Sequence, residues 1–227
     1  MSKKKATKEK FVKPIEILPK NEKQKELIES IKKNVVTVAI GRAGTGKTYL
    51  PLMMAAQDLN KGRIETIILT RPNIDSGEPL GFDPGTQTEK LAMWLGEQLK
   101  ILRFALGDNE VECRLKNGSI QLIPFQKMRG LTFDDAYIIL SEAQNTTQKQ
   151  MEMFTTRIGE QTRVIIEGDI TQDDLCTSRT GMTALMQIIE DYGMNIPVIE
   201  FGFEDVVRSG ITRQFTINWH KWKKQHG

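Results

Sequence analysis

Five short runs of β-branched and aliphatic residues recur along the chain: VVTVAI (35–40), ETIILT (65–70), AYIILS (136–141), TRVIIEG (162–168) and VIEF (198–201). They lack the polar/apolar alternation of a strand with one wet face, so they read as strands buried on both sides. Helical spacing fills the gaps. From Asn21 onward Gln24, Leu27, Ile28 and Ile31 fall on one helix face, and further helices are expected over 47–60, over 87–106 after a polar loop at 71–86, over 147–158 and over 180–191. Strands covered on both faces and joined by crossover helices define the α/β class. The expectation is a three-layer, doubly wound parallel sheet that binds ligands at the carboxyl ends of its strands. In VECRLKNGSIQLIP (111–124), Asn117-Gly118 stands between two short alternating runs and predicts a small β-hairpin insertion.

The ends of the chain are composed differently from its middle. Residues 1–13 hold six lysines against Glu9, and residues 213–227 hold Arg213, Lys221, Lys223 and Lys224 with no acid. The formal net charge of +3 therefore conceals an acidic body between basic ends. Residues 1–20 are expected to be a basic, unstructured tail, since lysine is dense and Pro14 and Pro19 interrupt any helix. One domain is expected over 21–217, and 218–227 form a basic C-terminal tail in which Trp219 and Trp222 either stack on single-stranded nucleic acid or pack a last helix. No run approaches the ~18–20 apolar residues of a membrane helix, and the first ten residues lack a signal-peptide core. No membrane partner and a cytoplasmic location are expected. Two cysteines, Cys113 and Cys176, are too few for a disulfide framework or a cysteine-rich metal site.

The first strand runs directly into Gly41-Arg42-Ala43-Gly44-Thr45-Gly46-Lys47-Thr48, which fits G-x-x-x-x-G-K-[ST] with a strand before it and a helix after it. Glycines at these positions let backbone N–H groups turn inward around phosphate oxygens, and the helix N-terminus adds the positive end of its dipole. Lys47 reaches the β- and γ-phosphates, and the Thr48 hydroxyl meets Mg²⁺. ATP is the expected ligand and Mg²⁺ its companion ion.

A second acidic site is expected after another buried strand, where phosphate-loop NTPases place an aspartate for the metal and a glutamate for the attacking water. Here the strand ends Leu140-Ser141-Glu142. Glu142 is the candidate catalytic base. Ser141 occupies the metal position with a neutral hydroxyl, so weaker Mg²⁺ retention is expected.

With these motifs in place, the chain resembles the PhoH-like family of P-loop ATPases, which are related to the RecA-like motor domain of superfamily 1 helicases. The resemblance rests on Gln24, GRAGTGKTYL (41–50), TRPNIDSGEPLGFDPG (70–85), MRGLTFDDAYIILSEAQNTT (128–147), MEMFTTRIG (151–159), GDITQ (168–172) and DVVRS (205–209). It departs from the family pattern at Arg42, where proline is usual, and at Ser141, where aspartate is usual. The resemblance implies a RecA-like core that hydrolyses ATP. Residues 41–48 and Tyr49 would hold the nucleotide and Gln24 would read adenine, although a plain helix-surface glutamine is the alternative. Gln172 would sense the γ-phosphate, with Asp169 near enough to tune the metal. Arg208 would act as a trans-acting arginine finger, with Arg157 in reserve. Arg71 and Arg129 would face nucleic acid or the neighbouring site, or brace loops. A ring homo-oligomer, a hexamer, and RNA or single-stranded DNA are the implied partners. A nucleotide-gated switch with little turnover is the alternative that Ser141 raises. Trp94, in line with Leu91, Leu95 and Leu102, reads as core or subunit packing rather than base stacking.

Overall fold

In the computed structural model, residues 16–72, 87–170, 180–208 and 210–226 are described. The sequence-based expectations for residues 1–15, for most of the 71–86 loop and for Gln172 fall outside them. The remaining chain forms α1 (Glu22–Lys33), β1 (Val36–Gly41), α2 (Tyr49–Asn60), β2 (Thr66–Thr70), α3 (Gln87–Trp94), α4 (Gly96–Leu106), α5 (Asp108–Asn117), β3 (Ile120–Leu122), β4 (Ala136–Leu140), α6 (Gln148–Thr155), β5 (Arg163–Gly168), α7 (Gly181–Asp191), β6 (Val198–Phe201) and α8 (Gly210–His226). Two short 3-10 turns, Phe125–Met128 and Ala143–Asn145, flank β4.

Among the described residues six strands pair in the order β3-β2-β4-β5-β1-β6, and all five pairings are parallel. Successive side chains along a strand point to opposite faces. Ala39, Ile67, Leu69, Tyr137, Ile139 and Ile165 pack with residues of α1, α2, α4 and α5. Their neighbours Val38, Ile40, Ile68, Ile138, Leu140, Val164 and Ile166 pack with Phe125, Met128, α6 and α7. Both faces are covered, which is why these strands read as continuous apolar runs.

The predicted hairpin is not formed. Residues 108–117 are a helix, Gly118 caps it in the left-handed conformation (φ 84°), and Ile120–Leu122 then pair parallel to β2 as a sixth strand. Asp108 and Glu110 in the first turn, Arg114 and Lys116 in the last, and an Arg114–Glu110 ion pair at 3.0 Å all suit the helix dipole and i,i+4 spacing. A two-residue hairpin turn and a helix C-cap both ask for φ > 0 at the glycine, so Asn-Gly alone does not separate them.

One further expectation changes. The single helix over 87–106 is broken at Leu95, before Gly96, into α3 and α4. Trp94 is 42% exposed, whereas Leu91, Leu95 and Leu102 are buried, so the tryptophan stands outside the core that the leucines form. The basic C-terminal stretch lies within α8, whose Trp219 and Trp222 meet edge-on at 5.8 Å and stay more than half exposed.

Candidate nucleotide site

The order of the strands builds the site. The phosphate loop leaves the carboxyl end of β1, Ser141 and Glu142 follow β4, and β5 lies between these two strands. Gly44 and Gly46 take φ +87° and +91°, which L side chains rarely adopt, and the space around them is occupied. A Cβ on Gly44 would meet the Arg208 side chain at 2.7 Å, and one on Gly46 would meet Gln24 Nε2 at 2.7 Å. Thr45 Oγ1 closes the loop by donating to the Arg42 carbonyl at 3.0 Å. The Arg42 guanidinium lies 4.6 Å from the Phe203 ring centroid, so the departure from proline is accommodated by a cation–π contact outside the loop.

A cleft of about 320 Å³ is lined by Ala43, Gly44, Gly46, Lys47, Thr48, Tyr49, Glu97, Glu142 and Arg208, together with Ile101 and Val207. The sequence-predicted phosphate binder, base and arginine thus converge on one opening. Arg208 reaches it within its own chain, where Val207 N–H donates to the Gly44 carbonyl at 2.9 Å. Glu142 has φ 56° and ψ 39°, a left-handed backbone unusual for glutamate, and its Oε2 accepts from Gln144 Nε2 at 2.7 Å. The same Gln144 amide accepts from Asp169 N–H through Oε1 at 3.1 Å, joining Glu142 to the GDITQ segment.

Gln24 is placed beneath the loop and is 3% exposed. Its Nε2 donates to the Thr45 carbonyl at 2.8 Å, and its Oε1 accepts from Lys20 N–H at 2.7 Å. The amide therefore ties the phosphate loop, through Thr45, to the segment that leads into α1, through Lys20. Gln24→Ala should destabilise the nucleotide-free protein by about 1–3 kcal/mol, because the Thr45 carbonyl loses its buried donor. Urea denaturation without nucleotide checks this; an unchanged midpoint would mean that the amide is held for a ligand instead.

Arg71 and Arg129 lie apart. Arg71 Nη1 donates to the Trp94 carbonyl at 3.0 Å. Arg129 lines a separate groove with Gln126, Lys149, Glu152 and Arg157. Arg157, the reserve finger, therefore does not share the nucleotide cleft.

Sequence reasoning missed Glu167, which links Thr48 of the cleft lining to Ser141. It is 2% exposed near the end of β5, and its Oε2 accepts from Thr48 Oγ1 at 2.6 Å while its Oε1 accepts from Ser141 Oγ at 2.6 Å. Gln98 Nε2 in turn donates to Ser141 Oγ at 3.1 Å. Burial raises the Glu167 carboxyl above its ordinary value and nearby Glu142 adds to this, while the Lys47 charge and the two hydroxyl hydrogen bonds oppose it. One signal was legible: a carboxylate in a run read as buried on both faces needs partners, and the run TRVIIEG contains one.

A parallel α/β sheet with a glycine-rich loop and helix at the carboxyl end of a central strand defines a protein built to hold phosphate groups. The PhoH-like protein family model matches residues 16–219, and the chain belongs to that family. It is 42% identical over 186 residues to a PhoH-like protein of Bacillus subtilis, covering 82% of this chain and 58% of that protein. It is 38% identical over 201 residues to protein PhoH of Escherichia coli K12, covering 87% of this chain and 56% of that protein. Against a PhoH-like protein of Mycobacterium tuberculosis H37Rv, identity is 38% over 209 residues, 92% of this chain and 59% of that protein. The chain thus spans less than two thirds of the length of these relatives.

Proposed function

We propose that this protein is a Mg²⁺-dependent ATPase that releases ADP and phosphate and couples turnover to RNA or single-stranded DNA in a ring of identical subunits. The observation that carries the reading is the convergence of Lys47, Thr48, Glu142 and Arg208 on one cleft whose floor is the phosphate loop. Loop N–H groups and Lys47 hold the β- and γ-phosphates. Glu142, positioned by Gln144, accepts a proton from the attacking water. Arg208 faces the charge that develops during phosphoryl transfer and does so from the same chain. Hydroxyl and carboxylate oxygens at Thr48, Ser141 and Glu167 are the hard donors Mg²⁺ prefers, and the buried Gln98 Oε1 lacks a hydrogen-bond partner beside them. When bound, Mg²⁺ neutralises charge on the phosphate oxygens.

Two surface features support the partners. Arg129, Arg157 and Lys149 line one groove suited to a phosphate backbone. Met93, Trp94 and Phe104 expose apolar surface on α3 and α4 that a neighbouring subunit would cover. The switch reading drew its support from a missing acid; Glu167 hydrogen-bonded to both Thr48 and Ser141 favours turnover.

The test is phosphate release from Mg·ATP with and without single-stranded RNA, alongside the mass of the particle in solution. Release that responds to RNA, from a multi-subunit particle, is expected. Absence of ATP binding overturns the reading, and turnover by a monomer indifferent to RNA removes the coupling.

A further inference from the structure

Register explains how a carboxylate arrives at the metal position from the wrong strand. Leu140 on β4 is aligned with Ile166 on β5, so the next residues, Ser141 and Glu167, stand side by side. Ala39 on β1 is aligned with Glu167 on its other flank, two residues before the phosphate loop begins. Ile139 and Ile165 belong to the cluster on the α2 side of the sheet, and strand alternation sends Ser141 and Glu167 to that same side, where α2 begins. The glutamate can thus touch both hydroxyls at once.

Thr48 leads into α2 without capping it; its hydroxyl proton goes to Glu167 at 2.6 Å. A threonine that donates its proton sideways keeps its oxygen lone pairs for another acceptor-seeking group. Ser141 is held the same way, donating to Glu167 and receiving from Gln98. Two neutral hydroxyls do not by themselves offset the desolvation of a buried carboxylate; the nearby Lys47 charge offsets part of it, and a bound cation would offset more. Gln98, 7% exposed, leaves its Oε1 without a hydrogen-bond partner at the same place. The cluster is polar, oxygen-rich and unfinished.

We propose that Glu167 is the acidic member of the divalent-cation shell, so that the charge expected at the end of β4 is supplied instead from the end of β5, with Thr48 and Ser141 as its oriented hydroxyls. The proposal rests on the ATP-binding reading above and deepens it. Ser141 is then one half of an exchange: a serine leaves room for the longer glutamate side chain, and the pair carries one negative charge. Restoring the aspartate alone would place two carboxylates together, whereas moving the charge from 167 to 141 keeps the count.

The test uses the full chain, a non-hydrolysable ATP analogue and four proteins: wild type, Glu167→Gln, Ser141→Asp/Glu167→Gln, and Glu167→Thr as a second removal of the charge. Analogue affinity is measured in Mg²⁺ and in EDTA, and Mn²⁺ binding to the analogue complex is followed by electron paramagnetic resonance. Glu167→Gln and Glu167→Thr should weaken Mn²⁺ binding about 10–100-fold while affinity in EDTA is unchanged, and Ser141→Asp/Glu167→Gln should recover most of the loss. Wild-type Mn²⁺ affinity in either single variant, or no recovery in the double variant, overturns the proposal. Analogue binding that ignores Mg²⁺ in the wild type overturns it too while leaving nucleotide binding intact; no analogue binding under any condition would instead sink the ATPase reading.

Discussion

Glu142→Gln should bind Mg·ATP as the wild type does and release phosphate about 10²–10⁴-fold more slowly. The amide keeps the size of the side chain and its contact with Gln144, and it removes only the ability to take a proton from water. The backbone at this position supplies a second arm. Glu142 sits at φ 56° and ψ 39°, where a side chain costs roughly 1–2 kcal/mol relative to glycine. Glu142→Gly should therefore be at least as stable as the wild type in thermal melting and still fail in single-turnover phosphate release. A left-handed glutamate in the lining of the cleft is the backbone outlier expected if its carboxylate serves as the proposed base. If Glu142→Gln turned over normally, the base would have to be sought elsewhere in the cleft, and Glu97 lines it too.

Phe154→Ala should cost about 3–5 kcal/mol, a large part of the ~5–15 kcal/mol that holds a domain together. Phe154 is 1% exposed on α6, and its ring centroid lies 5.6 Å from that of Phe125, itself fully buried in the 3-10 turn that precedes β4. The pair fastens α6 and that turn to the sheet face opposite α2. Truncation leaves a ring-sized cavity between segments that strand pairing does not hold. The urea midpoint should fall accordingly, whereas Ile188→Ala, at a residue 46% exposed on α7, should move it by no more than about 0.5 kcal/mol. A small loss at Phe154 would mean that this layer closes over the void.

Strand identity was legible because burial on two faces leaves no room for polar alternation, and all five predicted runs became strands with ends shifted by a residue at most. β3 was not legible as a parallel strand: it is three residues long, and the Asn117-Gly118 before it serves a helix cap as well as a turn. The break at Leu95 escaped because the leucines on either side keep helical spacing through it. Gln24 was noticed, yet its place depends on a loop 21 residues further on; only packing reveals that its amide donates to Thr45 there while accepting from Lys20 beside α1.

The sequence by itself determined the class of fold, the phosphate loop and the position of Glu142 just past a buried strand, since each depends on residues adjacent in the chain: a buried run, glycines able to take φ > 0, and an acid at the end of a strand. Tertiary structure alone decided that β5 lies between β1 and β4. That order brings Glu167 within hydrogen-bond reach of Thr48, 119 residues away, and of Ser141, 26 residues away. Hydrogen bonds and charge act over a few ångströms in space, and spacing along the chain does not report distances set by which strands pair.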